Sequence, residues 1–205
     1  MTRLYLIRHG ETLWNRKGKA QGMKDIQLTD VGIRQANYLA EHLKNENIDI
    51  IYASDLSRAY DTAEIIGKHI NKSVIPLPGI REMNFGQWEG LTTNEIKEKY
   101  HGIFNDWSLK PHNTQIPEAE TLLQVQTRSL KAVKEIIEKN PNKNIVMVSH
   151  GVAIKTIIFG LLDIDLSYYK KIRQDNTAIN IIDFKKDYNV LVQLNDTCHL
   201  KNFKE

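Results

Sequence analysis

Short apolar runs alternate along the chain with longer stretches in which apolar residues recur every three or four positions. Leu4 to Ile7 is the first run, Asp49 to Ala53 the second, and Val74 to Leu77 a third, held short by Pro76 and Pro78. Asn144 to Ser149 is almost wholly apolar, as a strand covered on both faces of a sheet requires. Between these runs Ile33, Ala36, Leu39, Ala40 and Leu43 mark one face of a helix capped by Thr29. Leu56, Ala59, Ala63, Ile66 and Ile70 mark a second helix, capped by Ser54-Asp55. Leu122, Leu123, Leu130, Val133 and Ile137 mark a third, from about Ala119 to Lys139, which stops before Asn140-Pro141. Another helix follows His150-Gly151 to about Leu161. Ala178 to Phe184 and Asn189 to Leu194 flank a polar turn as an antiparallel hairpin. Alternation of this kind predicts an α/β fold.

The weakest periodicity lies between about Phe85 and Pro117, a stretch that holds Trp88, Tyr100, Phe104 and Trp107. It reads as a cap or specificity segment, or equally as irregular connecting structure with ordinary core aromatics. At 205 residues the chain suffices for one substantial domain over 1–205. Its 28 basic residues are interspersed with 25 acidic ones. That pattern argues against nucleic acid and membrane as partners and leaves room for a local basic pocket. The single cysteine, Cys198, excludes an internal disulfide framework and a thiolate metal cluster. No segment resembles a signal peptide, and no apolar run reaches the roughly 18 residues of a membrane helix, so a cytoplasmic location is expected.

The candidate chemistry begins where the first run stops, at Arg8-His9-Gly10-Glu11-Thr12. Arginine can clamp two phosphate oxygens, histidine can accept a phosphoryl group, and glycine lets backbone approach a ligand closely. Alone, the triplet is equally a strand with a polar exit turn. Two other strands end alike: Ala53 leads to Arg58, and Val148-Ser149 leads to His150. Ligands of open α/β sheets bind beyond the carboxyl ends of strands, so the three ends would meet in one crevice, with Gly151 opening a helix there. His9 with Glu11 and Thr12 is also a conceivable metal-ligand set, but such sites usually recruit three or four protein ligands and no companion cluster is evident.

Several ordered motifs together carry a resemblance. They are Arg8-His9-Gly10-Glu11-Thr12, Asn15, Leu28-Thr29, Gly32, Gln35-Ala36, Ser54, Leu56, Arg58-Ala59, Thr62-Ala63, Glu82, Gly86, Trp88-Glu89-Gly90 and Ser149-His150-Gly151. Asn195-Asp196-Thr197 with His199 extends the series. The chain resembles the histidine phosphatase superfamily, in its phosphoglycerate-mutase-like branch, and within it the small broad-specificity and ribazole phosphatases. One departure is Ala119-Glu120-Thr121, where relatives commonly carry Gly-Glu-Ser; it puts the turn before the long helix in question.

The resemblance implies a three-layer α/β/α sandwich with a mostly parallel sheet and one antiparallel strand. It implies a phosphohistidine intermediate at His9, a phosphate pocket of Arg8, Arg58 and His150, and Glu82 as proton donor. Asn15, Gln21, Gly22 and Gly151 would line the phosphate or substrate site. Cations from the arginines would leave the reaction with no need of a metal or other cofactor, and repulsion from them would keep His9 unprotonated. The expected activity is hydrolysis of a small phosphorylated metabolite. The alternatives are a cofactor-dependent phosphoglycerate mutase and a non-catalytic phospholigand-binding module. Specificity is expected within 85–117 and around Trp14 and Gln21 to Met23. The oligomeric state stays open, a homodimer included.

Overall fold

The computed structural model describes residues 1–203. Its strands are β1 (Thr2–Arg8), β2 (Ile50–Ala53), β3 (Val74–Pro76), β4 (Asn144–Ser149), β5 (Ile179–Phe184) and β6 (Asn189–Asp196), in the sheet order β3-β2-β4-β1-β5-β6. β1 to β4 pair in parallel, β5 runs against β1, and β6 runs against β5. Only β5 therefore opposes the common direction, the mixed sheet expected from the resemblance.

The apolar runs explain the layers. Successive side chains of a strand point to opposite faces, so a run apolar at every position serves two cores. Leu4, Leu6, Ile145 and Met147 face one core, whose helices are α6 (Leu122–Lys139) and α7 (Gly151–Leu161). Tyr5, Ile7, Val146 and Val148 face the other, covered by α2 (Asp30–Leu43) and α3 (Ser57–Ile70). A short helix α1 (Leu13–Arg16) follows β1. Among the described residues no helix is long and apolar enough to cross a membrane.

Three local expectations differ. Ile33 is exposed, because α2 lays its first turn against the β1 exit through Gly32 and its buried stripe runs Gly32, Ala36, Leu39, Ala40, Leu43. Leu123 likewise faces outward, and α6 buries Leu122, Val125, Ser129 and Val133. Ser54-Asp55 does not cap α3. The Oδ1 of Asp25, from a distant loop, accepts from the Ser57 backbone N–H at 2.8 Å, while Asp55 accepts from Arg81. The turn around Ala119 holds: Thr121 caps α6 in a reciprocal box with Gln124, and the left-handed residue there is Glu118, not Ala119.

The stretch 85–117 folds as two helices, α4 (Thr93–Lys99) and α5 (His101–Leu109), between short 3₁₀ turns. Trp88 is buried in the α6–α7 core, with Tyr100, Phe104 and Trp107 packed around it at ring-centroid separations of 6.0–6.5 Å. Interleaving two short helices with irregular turns is what blurs the periodicity of this stretch.

Candidate active site

β1 and β4 are neighbours whose chains leave to opposite faces, β1 toward α2 and β4 into α7. A crevice must open at such a switch point, beyond the carboxyl ends of the strands. Arg8 pairs with Ser149 in register, and Ala53 lies level with Val148, so His9, His150 and Ser54 all stand at these strand ends. Of the three, His9 reaches the open crevice, while His150 and Ser54 are fully buried. A cavity of about 280 Å³ stands above, with Arg8, His9, Arg58, Glu82 and Gly151 in its wall. Asn15, Gln21 and Gly22 line it as well. At the small end of the range for ligand pockets, its volume suits a metabolite rather than a large ligand.

His9 is buried, and its Nδ1 lies 2.6 Å from the Gly10 carbonyl. A carbonyl can only accept, so the proton resides on Nδ1 and Nε2 keeps its lone pair. Burial depresses the His9 pKa well below its ordinary value, ahead of repulsion from Arg58 and then Arg8. Desolvation thus outweighs the arginines as the reason the ring is neutral.

His150 is fully buried, with its ring centroid 5.2 Å from that of His9. Burial, then Arg58, holds its pKa well down too. Its Nε2 lies 2.8 Å from the Ser54 hydroxyl. That hydroxyl accepts from the Leu56 N–H, so its own proton is free to donate to Nε2. With Ser54 as the donor, the imidazole proton sits on Nδ1, which has no partner among the described residues. Arg8 Nε and Arg58 Nε are buried and unpartnered as well. Arg8 and Arg58 line the cavity, and the His150 ring lies beside that of His9, so these unpartnered nitrogens ask for an acceptor there that an oxyanion supplies.

The scaffold fixes these donors. Arg8 Nη1 donates to the Gln174 carbonyl at 2.7 Å, and Arg58 donates to the carbonyls of Gly22 and Lys24, each at 2.8 Å. Gly22 holds a left-handed φ of 54°, which favours glycine, and a Cβ there would stand 2.0 Å from Glu89 Oε1 and displace that carboxylate. Gly10 serves otherwise than expected. Its N–H donates to Thr62 Oγ1, and a Cβ on it would meet the Gly32 carbonyl at 2.6 Å; it brings α2 close rather than a ligand.

Glu82 accepts from the N–H groups of Met83, Val152 and Ala153 at 2.9, 3.3 and 3.2 Å. Its backbone is clamped from α6, where Arg128 donates to the carbonyls of Gly79, Arg81 and Glu82 and pairs with Glu120. Glu11, conceivable as a metal ligand, is instead engaged by Arg16 and Thr29, and Thr12 caps α1.

Of 85–117, Phe85 reaches the cavity; Trp14 and Met23 are not in its wall. Sequence reasoning missed six of its lining residues: Lys19, Ala20, Val152, Lys155, Tyr169 and Gln174. Lys155 was open to inference, since it stands one turn beyond Gly151 on the same face of α7. Tyr169 comes from a short 3₁₀ turn and Gln174 from irregular chain, and neither carries a periodic signal.

With this geometry in hand, comparison with known proteins is direct. Residues 4–197 match the model of the histidine phosphatase superfamily, branch 1. Phosphoserine phosphatase 1 of Hydrogenobacter thermophilus is 36% identical over 99% of this chain and 96% of its own. "Probable phosphoglycerate mutase GpmB" of Yersinia pestis is 30% identical over 98% and 95%. A crystal structure of a phosphoserine phosphatase mutant from Entamoeba histolytica, in complex with phosphoserine, superposes with a TM-score of 0.89 at 39% identity, over 98% of this chain and all of that one. The same Entamoeba phosphatase is known in complex with 3-phosphoglyceric acid. The chain belongs to the histidine phosphatase superfamily, branch 1.

Proposed function

We propose that the protein is a phosphomonoester hydrolase that works through a phosphohistidine at His9. The observation that carries this reading is the neutral His9 ring, its Nδ1–H committed to Gly10, sharing one cavity wall with Arg8 and Arg58, whose Nε–H groups have no partner. The substrate phosphate lies among Arg8, Arg58 and His150 Nδ1, with Asn15, Gln21 and Gly22 around it and the N-terminus of α7 at Gly151 adding to the positive potential. His9 Nε2 attacks phosphorus in line; the P–N bond forms as the bond to the ester oxygen breaks, and Glu82 gives that oxygen its proton. A water then attacks phosphorus and gives its proton to the Glu82 carboxylate, the P–N bond breaks, and inorganic phosphate leaves. Positioning and charge neutralisation dominate such a barrier, and the arginines supply both.

The relatives named phosphoserine phosphatase favour hydrolysis of a small phosphorylated metabolite, with phosphoserine the first substrate to try. Phosphoglycerate isomerisation is the second reading, favoured by the relative named as a mutase. Assays of phosphate release and of isomerisation, run together on 3-phosphoglycerate, separate the two. Release without isomerisation supports hydrolysis, and isomerisation without release overturns it. Retention of the full set His9, Glu82, Arg8, Arg58 and His150 argues against a non-catalytic binder. The segment 85–117 contributes to selectivity through Phe85.

A further inference from the structure

Resting on the hydrolase reading, we propose that Lys155 is a specificity-determining residue which binds a carboxylate on the leaving group, so that carboxylated phosphomonoesters are preferred to their neutral counterparts. Lys155 lies in the wall of the same cavity as Arg8 and His9, one turn along α7 from Gly151. Its ammonium rests 3.6 Å from the centre of the Tyr169 ring, which holds it in place over that ring. Among the described residues no carboxylate forms an ion pair with it. A half-buried ammonium without a counterion is costly to hold, and a substrate anion would offset that cost. The phosphate donors around His9 are separate groups, so Lys155 is free for a second negative charge. A lysine that merely lays its stem on an aromatic ring would not discriminate between substrates.

The charged and titratable groups around Lys155 are Tyr169 and Lys170 of the 3₁₀ turn Leu166–Lys171, Glu82, and, in the cavity wall, Arg8, Arg58, Lys19 and neutral His9. Burial, then Lys170, brings the Lys155 ammonium down to about 8, while Glu82 opposes the shift. Burial pushes the Tyr169 hydroxyl upward, so it stays neutral. The ammonium, and with it the preference, is present below pH 8 and is lost as the pH rises through it.

The test compares kcat/KM for 3-phosphoglycerate and glycerol 3-phosphate, which differ in a carboxylate against a hydroxymethyl group. In the unaltered protein the ratio of the two falls between pH 7 and 9. Lys155→Met lowers kcat/KM for 3-phosphoglycerate by roughly tenfold to a hundredfold, mainly through KM, and that for glycerol 3-phosphate by less than about twofold; Lys155→Arg restores the preference and removes its pH dependence. Equal losses on both substrates, or a ratio flat with pH in the unaltered protein, would overturn the assignment even while hydrolysis continues. The pH arm needs no variant and stands if Lys155→Met misfolds. Hydrolysis of neither ester by the unaltered protein overturns the hydrolase reading and this proposal with it.

Discussion

His9 Nδ1 donates to the carbonyl oxygen of its own neighbour, Gly10, across 2.6 Å. This short local bond leaves the lone pair on Nε2 rather than Nδ1 before any substrate arrives. It follows from the way the chain leaves β1: Asn176 and Thr177 both donate to the His9 carbonyl, and Thr62 holds the Gly10 N–H. The imidazole therefore turns with a fixed backbone rather than with a mobile side chain.

Buried neutral histidines make stability depend on pH. The folded His9 and His150 are held well below 6.5 by burial and by the arginines, and His199 is brought down to about 4 by burial and by His42. Below pH 6.5 the unfolded chain thus binds more protons than the folded one, so stability is full above about pH 7 and falls as the pH drops toward 5. Each histidine contributes up to about 1.4 kcal/mol per pH unit in this window. Urea midpoints measured from pH 7.5 to 5 should show the decline, and His9→Gln should remove about a third of its slope. An unchanged slope in that variant would mean that the folded His9 is not held neutral.

Ser54 supports His150. Ser54→Ala takes the donor from His150 Nε2 and frees the imidazole proton to shift away from Nδ1. We expect kcat/KM to fall by about tenfold or more, with about 1 kcal/mol lost from stability. Ser54→Thr, which keeps the hydroxyl, should retain most of the activity if the variant folds. Nitrogen chemical shifts of the His150 ring report the tautomer directly.

Gly151 separates space from fold. A Cβ on it would stand 3.7 Å from Arg8 Nε and 3.9 Å from Glu82 Oε2, in ordinary contact but within the cavity. Gly151→Ala should leave the melting temperature level or raise it slightly, since alanine favours a helix by up to about 1 kcal/mol over glycine. Inhibition by inorganic phosphate should weaken severalfold. Calorimetry and inhibition constants on one sample test both halves.

As the proposed proton donor, Glu82 matters most for a poor leaving group. Glu82→Gln should slow hydrolysis of an alkyl phosphate by roughly a hundredfold or more. It should slow p-nitrophenyl phosphate far less, because that phenolate leaves without a proton. Arg128→Met, which unclamps the Glu82 backbone, should shift the two substrates in the same unequal way. An equal loss on both would assign Glu82 to binding instead.

Much of the site was legible because its residues sit where strands end and helices begin. Such positions are marked by an abrupt change from apolar to polar, and Arg8, His9, Arg58 and His150 all follow one. What could not be read was pairing across the fold. Asp25 as the cap of α3, Ser54 as the partner of His150, and Arg128 as the clamp on Glu82 each join segments more than twenty residues apart. The outward turn of Ile33 and Leu123 has the same origin, since the partner of a helix face, not its periodicity alone, decides where its stripe begins.

The central claim is the covalent step at His9, and a trapped intermediate tests it most directly. Protein mixed with phosphoserine or p-nitrophenyl phosphate, quenched in base within a turnover and digested, should yield a peptide carrying an acid-labile, base-stable phosphoryl group on His9. His9→Ala should be folded, unlabelled and inactive. Retained hydrolysis by His9→Ala, or turnover by the unaltered protein with the phosphoryl group found on another residue, would contradict it.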